Sequence, residues 1–263
     1  MVVGFDRLND NLEVTASMEF KKSSDALYDL PVIQDSEICE ESTYYIHDIT
    51  AWNDDGNKTI VFDSIRGIHR TDLSTRSLIN KFLQDKSIEA MINRILGEQI
   101  GIKQAIPLIV GSAGLAPLAG TSRSSTHWVS VHHLLDLHFD SENSRNTIIK
   151  FKGCQLHVPI KCKALHIKLQ QTIKMRQVMQ LIFDGISEKF GLADKSEPSR
   201  TKFKIDDRLK KEMMEFKLPE DAFIDFLTRV HLLFCETLYE DDQLEFSRLR
   251  AQVVAGLTSL GRI

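Results

Sequence analysis

The clearest periodic stretch begins at Thr43. Over residues 43–52, Tyr45, His47 and Ile49 alternate with Tyr44, Ile46, Asp48 and Thr50; the cluster Asn53-Asp54-Asp55-Gly56-Asn57 follows, and then the run TIVFDSIRGI over 59–68. Two β-branched and aromatic runs around an Asp-Gly turn predict antiparallel strands. Leu78, Ile79, Phe82 and Leu83 then recur at helical spacing behind Asp72 or Ser74, either of which can cap. Ile88, Met91, Ile92, Ile95 and Leu96 extend that face through a second helical stretch, which Gly97 and Gly101 are expected to end. Further strands are predicted at 105–110, 115–118, 128–133, 147–151 and 155–160, separated by glycine, serine or asparagine clusters. Residues 163–190 read as one long amphipathic helix with Leu165, Leu169, Ile173, Val178, Leu181, Ile182 and Ile186 inward.

Either end of the chain has a different texture. Residues 1–42 hold no stable period and predict a weakly packed acidic arm. Residues 191–204 (GLADKSEPSRTK and its flanks) read as a linker, and 205–263 as a helical appendage in which Pro219 opens a helix carrying Phe223, Phe226, Val230 and Phe234. The predicted fold class is therefore α+β: a mainly antiparallel sheet core with two or three packed helices over 43–190, plus the C-terminal appendage.

Composition places the chain among ordinary globular proteins, with 42% hydrophobic and 27% charged residues in 263. No run approaches the roughly 18 consecutive apolar residues of a membrane span, and the first residues lack the basic and apolar regions of a secretory leader. Four scattered cysteines, Cys39, Cys154, Cys162 and Cys235, then suggest reduced thiols in a cytoplasm. The net charge of −4 hides an asymmetry. Residues 1–57 carry −10, residues 58–182 carry +9 and residues 183–263 carry −3, a pattern that suggests a polyanion-binding middle between acidic ends.

Catalytic and metal chemistry find little footing. Cys154, His157, Cys162 and His166 have zinc-compatible types, but in an alternating strand Cys154 and His157 project to opposite faces, which argues against one tetrahedral site. Ser124, Ser125, His127, His132, His133 and Asp136 lack a nucleophile-elbow pattern, and Gly111-Ser112-Ala113-Gly114 lacks the Gly-Lys-Ser/Thr ending of a phosphate loop. The chain is read as a non-enzyme without a cofactor. Residues 121–126 (TSRSST) differ, because five hydroxyls around Arg123 can hold phosphate oxygens, although a solvated hairpin loop has the same composition. Arg66, Arg70, Arg76, Lys150, Lys152, Lys161, Lys163, Lys168 and Lys174 surround that loop in sequence, and residues 143–180 contain no acid. With Arg123, Ser124 and Ser125 they form the candidate DNA-binding set.

Several of these features occur in a recognisable order. Residues 106–111 (IPLIVG) and 115–133 (LAPLAGTSRSSTHWVSVHH), followed by the strands to Ile160 and a helix with Gln170, Gln171 and Arg176, resemble the ComK family of competence transcription factors of Gram-positive bacteria. The basic segment 64–78 (SIRGIHRTDLSTRSL) is similar as well, so the resemblance spans about 44–179. It implies a transcriptional activator of competence genes that binds AT-rich boxes of double-stranded DNA as a homo-oligomer, largely through the minor groove. It further implies contact with RNA polymerase and control by an adaptor to a Clp protease; no membrane partner is expected. The acidic arm and the helical appendage depart from that family's short ends. The alternative left open by the residues alone is a non-catalytic protein-interaction module acting through the arm and the C-terminal helices.

Overall fold

The computed structural model describes residues 16–19, 29–52, 56–120, 125–141, 144–189, 226 and 228–230. The predicted linker at 191–204 and nearly all of the appendage lie outside them, as do Arg123 and Ser124. The described elements are β1 (Ala16–Glu19), β2 (Thr43–Asp48), β3 (Thr59–Asp63), β4 (Gly67–Thr71), α1 (Thr75–Phe82), α2 (Ser87–Gln99), β5 (Leu108–Val110), β6 (Ala113–Pro117), β7 (Trp128–Ser130), β8 (Asp136–Phe139), β9 (Thr147–Phe151), β10 (Cys154–Val158) and α3 (Cys162–Lys189). They make an α+β fold of two sheets. One has the strand order β4-β3-β2-β7-β6-β5 and is antiparallel throughout; the other runs β1-β10-β9-β8, with only β1 parallel to its neighbour.

The period-2 alternation sorts side chains onto the two faces of the six-stranded sheet. Tyr45, Ile60, Phe62, Ala116 and Val129 meet the inner row of the second sheet (Ile149, Phe151, Cys154, Leu156, Val158) and Leu165, Leu169 and Ile173 of α3. Their immediate neighbours Ile46, Val61, Leu115 and Trp128 turn the other way, onto Leu78, Ile79 and Phe82 of α1. Both faces are covered, so β2 and β3 are buried at nearly every position, the polar Thr43, His47, Thr59 and Asp63 included. A third cluster joins Ile92, Ile95 and Leu96 of α2 to Met175, Val178, Met179 and Ile182 of α3, and Phe226 from the C-terminal part of the chain is buried within it.

Several local expectations are corrected. The run 59–68 is two strands, because Asp63 and a left-handed Gly67 (φ +76°) fold it into a second hairpin. Gly97 does not stop α2. It sits inside the helix under Ile106, and the helix ends instead in a Schellman motif: Gly101 (φ +82°) donates to the Glu98 carbonyl and Ile102 to the Gly97 carbonyl. The predicted strand at 128–133 ends at Ser130, after which Val131–His133 form a 3-10 turn. Leu181, expected inward, is 47% exposed.

Part of the acidic arm is tied down. Ala16–Glu19 pairs with β10, Ile38 joins the α1-side core, and buried Ser36 shares a 2.8 Å hydrogen bond with His69. Pro31–Ile33 lies along the outer edge of β4, with Arg70 N–H donating to the Pro31 carbonyl (2.8 Å) and Ile33 N–H to the Arg70 carbonyl (2.9 Å). The opposite edge is closed by a side chain. Asn93 of α2 donates to the Ile109 carbonyl (2.8 Å) and accepts from the Ile109 N–H (2.8 Å), so its amide occupies the place of a neighbouring strand.

Candidate functional site

The hydroxyl-rich loop leaves the six-stranded sheet after β6 and returns at β7. Its mouth is pinned three times. Leu118 N–H donates to the His127 carbonyl (2.9 Å), Ala119 N–H to Thr126 Oγ1 (3.0 Å), and Thr126 N–H to Thr75 Oγ1 (3.2 Å) at the start of α1. The last contact joins residues 51 positions apart. Ser74 Oγ caps α1 by accepting from the Ser77 N–H (3.0 Å), which fixes the first turn against which the loop rests.

This anchoring opens a cleft of about 310 Å³ between α1, α2 and the strands. Its walls carry Arg76 and Asn80 from α1, Arg94 from α2 and Ser125 from the loop's returning end. Ile79, Ile106, Leu108 and Trp128 supply the apolar part. Trp128 is only 5% exposed and belongs to the α1-side core, so it is chiefly a packing residue. Asn93 also lines the cleft, although its amide is engaged by Ile109 and by the Glu89 carbonyl (2.7 Å).

Neutral histidines brace the strands beside the loop. The His127 ring lies 4.5 Å from that of His47, and its Nδ1 accepts from the Asp48 N–H (3.0 Å). His132 Nδ1 accepts from the Gly114 N–H (3.2 Å), leaving Nε2–H to donate to the Glu40 carbonyl (2.6 Å), which His133 also engages (3.1 Å). Burial lowers the pKa of His127 and His132, and that of His47 falls furthest, through burial and then the nearby His127. These rings are struts that need their neutral form.

The candidate cations separate into groups. Arg76 and Ser125 share the cleft. Arg70 is buried and its guanidinium donates to the Leu30 carbonyl at 3.4 Å, holding the chain along β4. Arg66 donates to the Glu37 carbonyl (3.0 Å) and lies near the carboxylates of Glu37 (3.7 Å) and Asp63 (3.8 Å), so acidic neighbours surround it. Burial would raise the Asp63 carboxyl, but hydrogen bonds from Arg66, Ser42, Ile65 and Thr43 hold it below its ordinary value.

The candidate lysines are spread over β9, the segments flanking β10, and α3. Lys152, Lys161 and Lys163 are exposed, while Lys150, Lys168 and Lys174 are half-buried. Lys152 and Lys161 stand at opposite ends of β10, separated by a five-residue strand, roughly 17 Å. Burial lowers the Lys168 ammonium from its usual value. On the same strand His157 bonds Asp140 (2.9 Å) on the face opposite Cys154, whose thiol is pushed up to about 12 by burial. Among the described residues no three His, Cys, Asp or Glu side chains are grouped to hold a metal ion, and no helix is long and apolar enough to cross a membrane.

Arg94 is the cleft cation that sequence reading passed over, as it did Asn80 and Asn93. It forms an exposed pair with Glu98 at 3.5 Å, one turn along the helix, and such spacing ordinarily marks a solvated face. Only the folding of residues 106–108 and 125–128 beside it makes it part of a site. Comparison with protein-family models, with curated proteins and with solved structures returns no match for this chain.

Proposed function

We propose that the chain is a DNA-binding transcriptional activator of the ComK type, taking AT-rich duplex DNA and acting on competence genes as a homo-oligomer. The observation that carries the reading is the pinned mouth of the hydroxyl-rich loop: two hydrogen bonds join its ends to each other between β6 and β7, and a third ties them to Thr75 of α1, next to Arg76. A short loop with one arginine, held on a rigid base, suits the narrow and strongly negative minor groove of AT-rich DNA. Lys150 on β9, Lys152 and Lys161 flanking β10, and Lys163, Lys168 and Lys174 of α3 supply sequence-independent attraction to phosphates in this reading. The helical appendage at 205–263 belongs to the same proposal, as the element that joins two copies or recruits RNA polymerase or a protease adaptor.

Fluorescence anisotropy on AT-rich and GC-rich duplexes across a salt series tests it. The wild type is expected to bind with a steep negative dependence on log salt, about 0.9 for each phosphate neutralised. Arg123→Ala should weaken AT-rich binding selectively, and Lys163→Ala both duplexes alike. A flat salt profile, or no binding to either duplex, refutes the proposal.

A further inference from the structure

We propose that the cleft between α1 and α2 is a phosphate-binding site whose two guanidinium groups, Arg76 and Arg94, flank an apolar seat for the ring carried beside the phosphate. Among the described residues the cleft is lined by two cations and no carboxylate, in a chain whose acids outnumber its bases. A volume of about 310 Å³ lies at the low end of the roughly 300–1,000 Å³ of small-molecule sites and leaves room for more than an inorganic anion. The apolar side chains Ile79, Ile106, Leu108 and Trp128 offer a surface suited to a flat ring.

Donors of the right kind surround that seat. Thr75 and Thr126 each accept a backbone N–H, and a hydroxyl that accepts in this way still has its own proton to give. Ser125 adds a third hydroxyl and Asn80 an amide. Arg76 is exposed, and among the described residues Arg94 is held by the exposed Glu98 pair alone, an interaction weak enough for a phosphate to displace. Guanidinium groups match phosphate oxygens with paired donors, so two arginines lining one cleft favour a phosphate ester over an uncharged ring.

The same chemistry has two sources: a phosphodiester of a bound DNA strand, or the phosphate of a free nucleotide. The first rests on the DNA reading above and the second does not. The full-length double variant Arg76→Gln/Arg94→Gln is compared with a charge-matched control, Lys58→Gln/Lys103→Gln, in which both lysines are exposed and neither lines the cleft. AMP binding is followed by isothermal titration calorimetry and duplex binding by anisotropy over a salt series.

A free-nucleotide site predicts AMP binding to the wild type that falls at least tenfold in the cleft variant and stays unchanged in the control. A strand-phosphate site predicts a salt slope lower by about 1 to 2 in the cleft variant only, about 0.9 per lost contact. Identical behaviour of the two variants with both probes overturns the cleft proposal, and if duplex binding persists the DNA reading survives it. Loss of all duplex binding by the wild type overturns the DNA reading instead, while the AMP measurement still decides the cleft.

Discussion

Asn93 offers the sharpest test of how the cleft is held. Its amide makes three hydrogen bonds, to the Glu89 carbonyl and to both backbone groups of Ile109, at 2.7 to 2.8 Å. Asn93 and Ile109 are each 1% exposed, so no water replaces a lost partner without rearrangement. In Asn93→Ala the Ile109 N–H and carbonyl become two buried, unsatisfied groups, at roughly 1–3 kcal/mol each. The expected loss is therefore about 2–6 kcal/mol, read as a lower urea midpoint at constant slope.

Asn93→Asp adds a second signature. The carboxylate keeps an acceptor for the Ile109 N–H but sets negative charge against two carbonyls, which raises its pKa in the folded state. A raised folded pKa means that the variant stands nearest the wild type below about pH 4, and that the gap widens as pH rises towards the folded pKa, by up to about 1.4 kcal/mol per unit. If Asn93→Ala lies within about 0.5 kcal/mol of the wild type, or the Asp variant's deficit is independent of pH, the amide is not closing the sheet edge.

Other consequences can be measured alongside. His47, His69, His127 and His132 all have folded pKa values lowered by burial, so their contribution is complete above the unfolded value of about 6.5 and is lost progressively as pH falls from there through the lower folded values. Urea midpoints should drop between pH 6.5 and 5, and a flat profile there would contradict the neutral struts. In Gly97→Ala the new Cβ would stand 2.9 Å from Ile106 Cγ2, so overpacking of about 1–3 kcal/mol should exceed the roughly 1 kcal/mol gained in helix propensity. Adding Ile106→Ala should remove that penalty, and the absence of coupling in the double-mutant cycle would refute the contact. Phe226→Ala should cost about 3–5 kcal/mol by emptying its place between α2 and α3. Thermal unfolding unchanged by it would mean that the C-terminal segment is not fastened there.

Local pattern carried much of the architecture. The antiparallel pair β2–β3, the strands β9 and β10 and the long helix α3 were legible because each is an uninterrupted period bounded by turn residues. What escaped depended on distant partners. Ala16–Glu19 becomes a strand by lying parallel to β10 more than a hundred residues later, and no alternation within four residues announces that. Gly97 reads as a stop until Ile106 is seen packed on it. The charge tally pointed to a basic middle, but counting could not separate Arg70, consumed by the Leu30 carbonyl, from Arg76 on the cleft wall. Arg94 stands four residues before Glu98, the spacing of a routine surface pair, and nothing local marks it as part of a cleft wall.

The strand order β4-β3-β2-β7-β6-β5 also dictates a folding problem. Its halves are two meanders, β2-β3-β4 and β5-β6-β7, each built from short-range hairpins or a brief connection. They meet only where Tyr45 and Ile46 pair with Val129 and Trp128, across more than 80 residues. Closing so long a loop costs roughly 1.8 kcal/mol more in chain entropy than closing the 11-residue span of the β2–β3 hairpin. That seam joins the two halves of both core clusters on the sheet's faces, so little of the core can form until it closes. Folding should accordingly be slowed most by changes at Ile46 and Val129, whereas changes confined to the outer strand β8 should chiefly hasten unfolding.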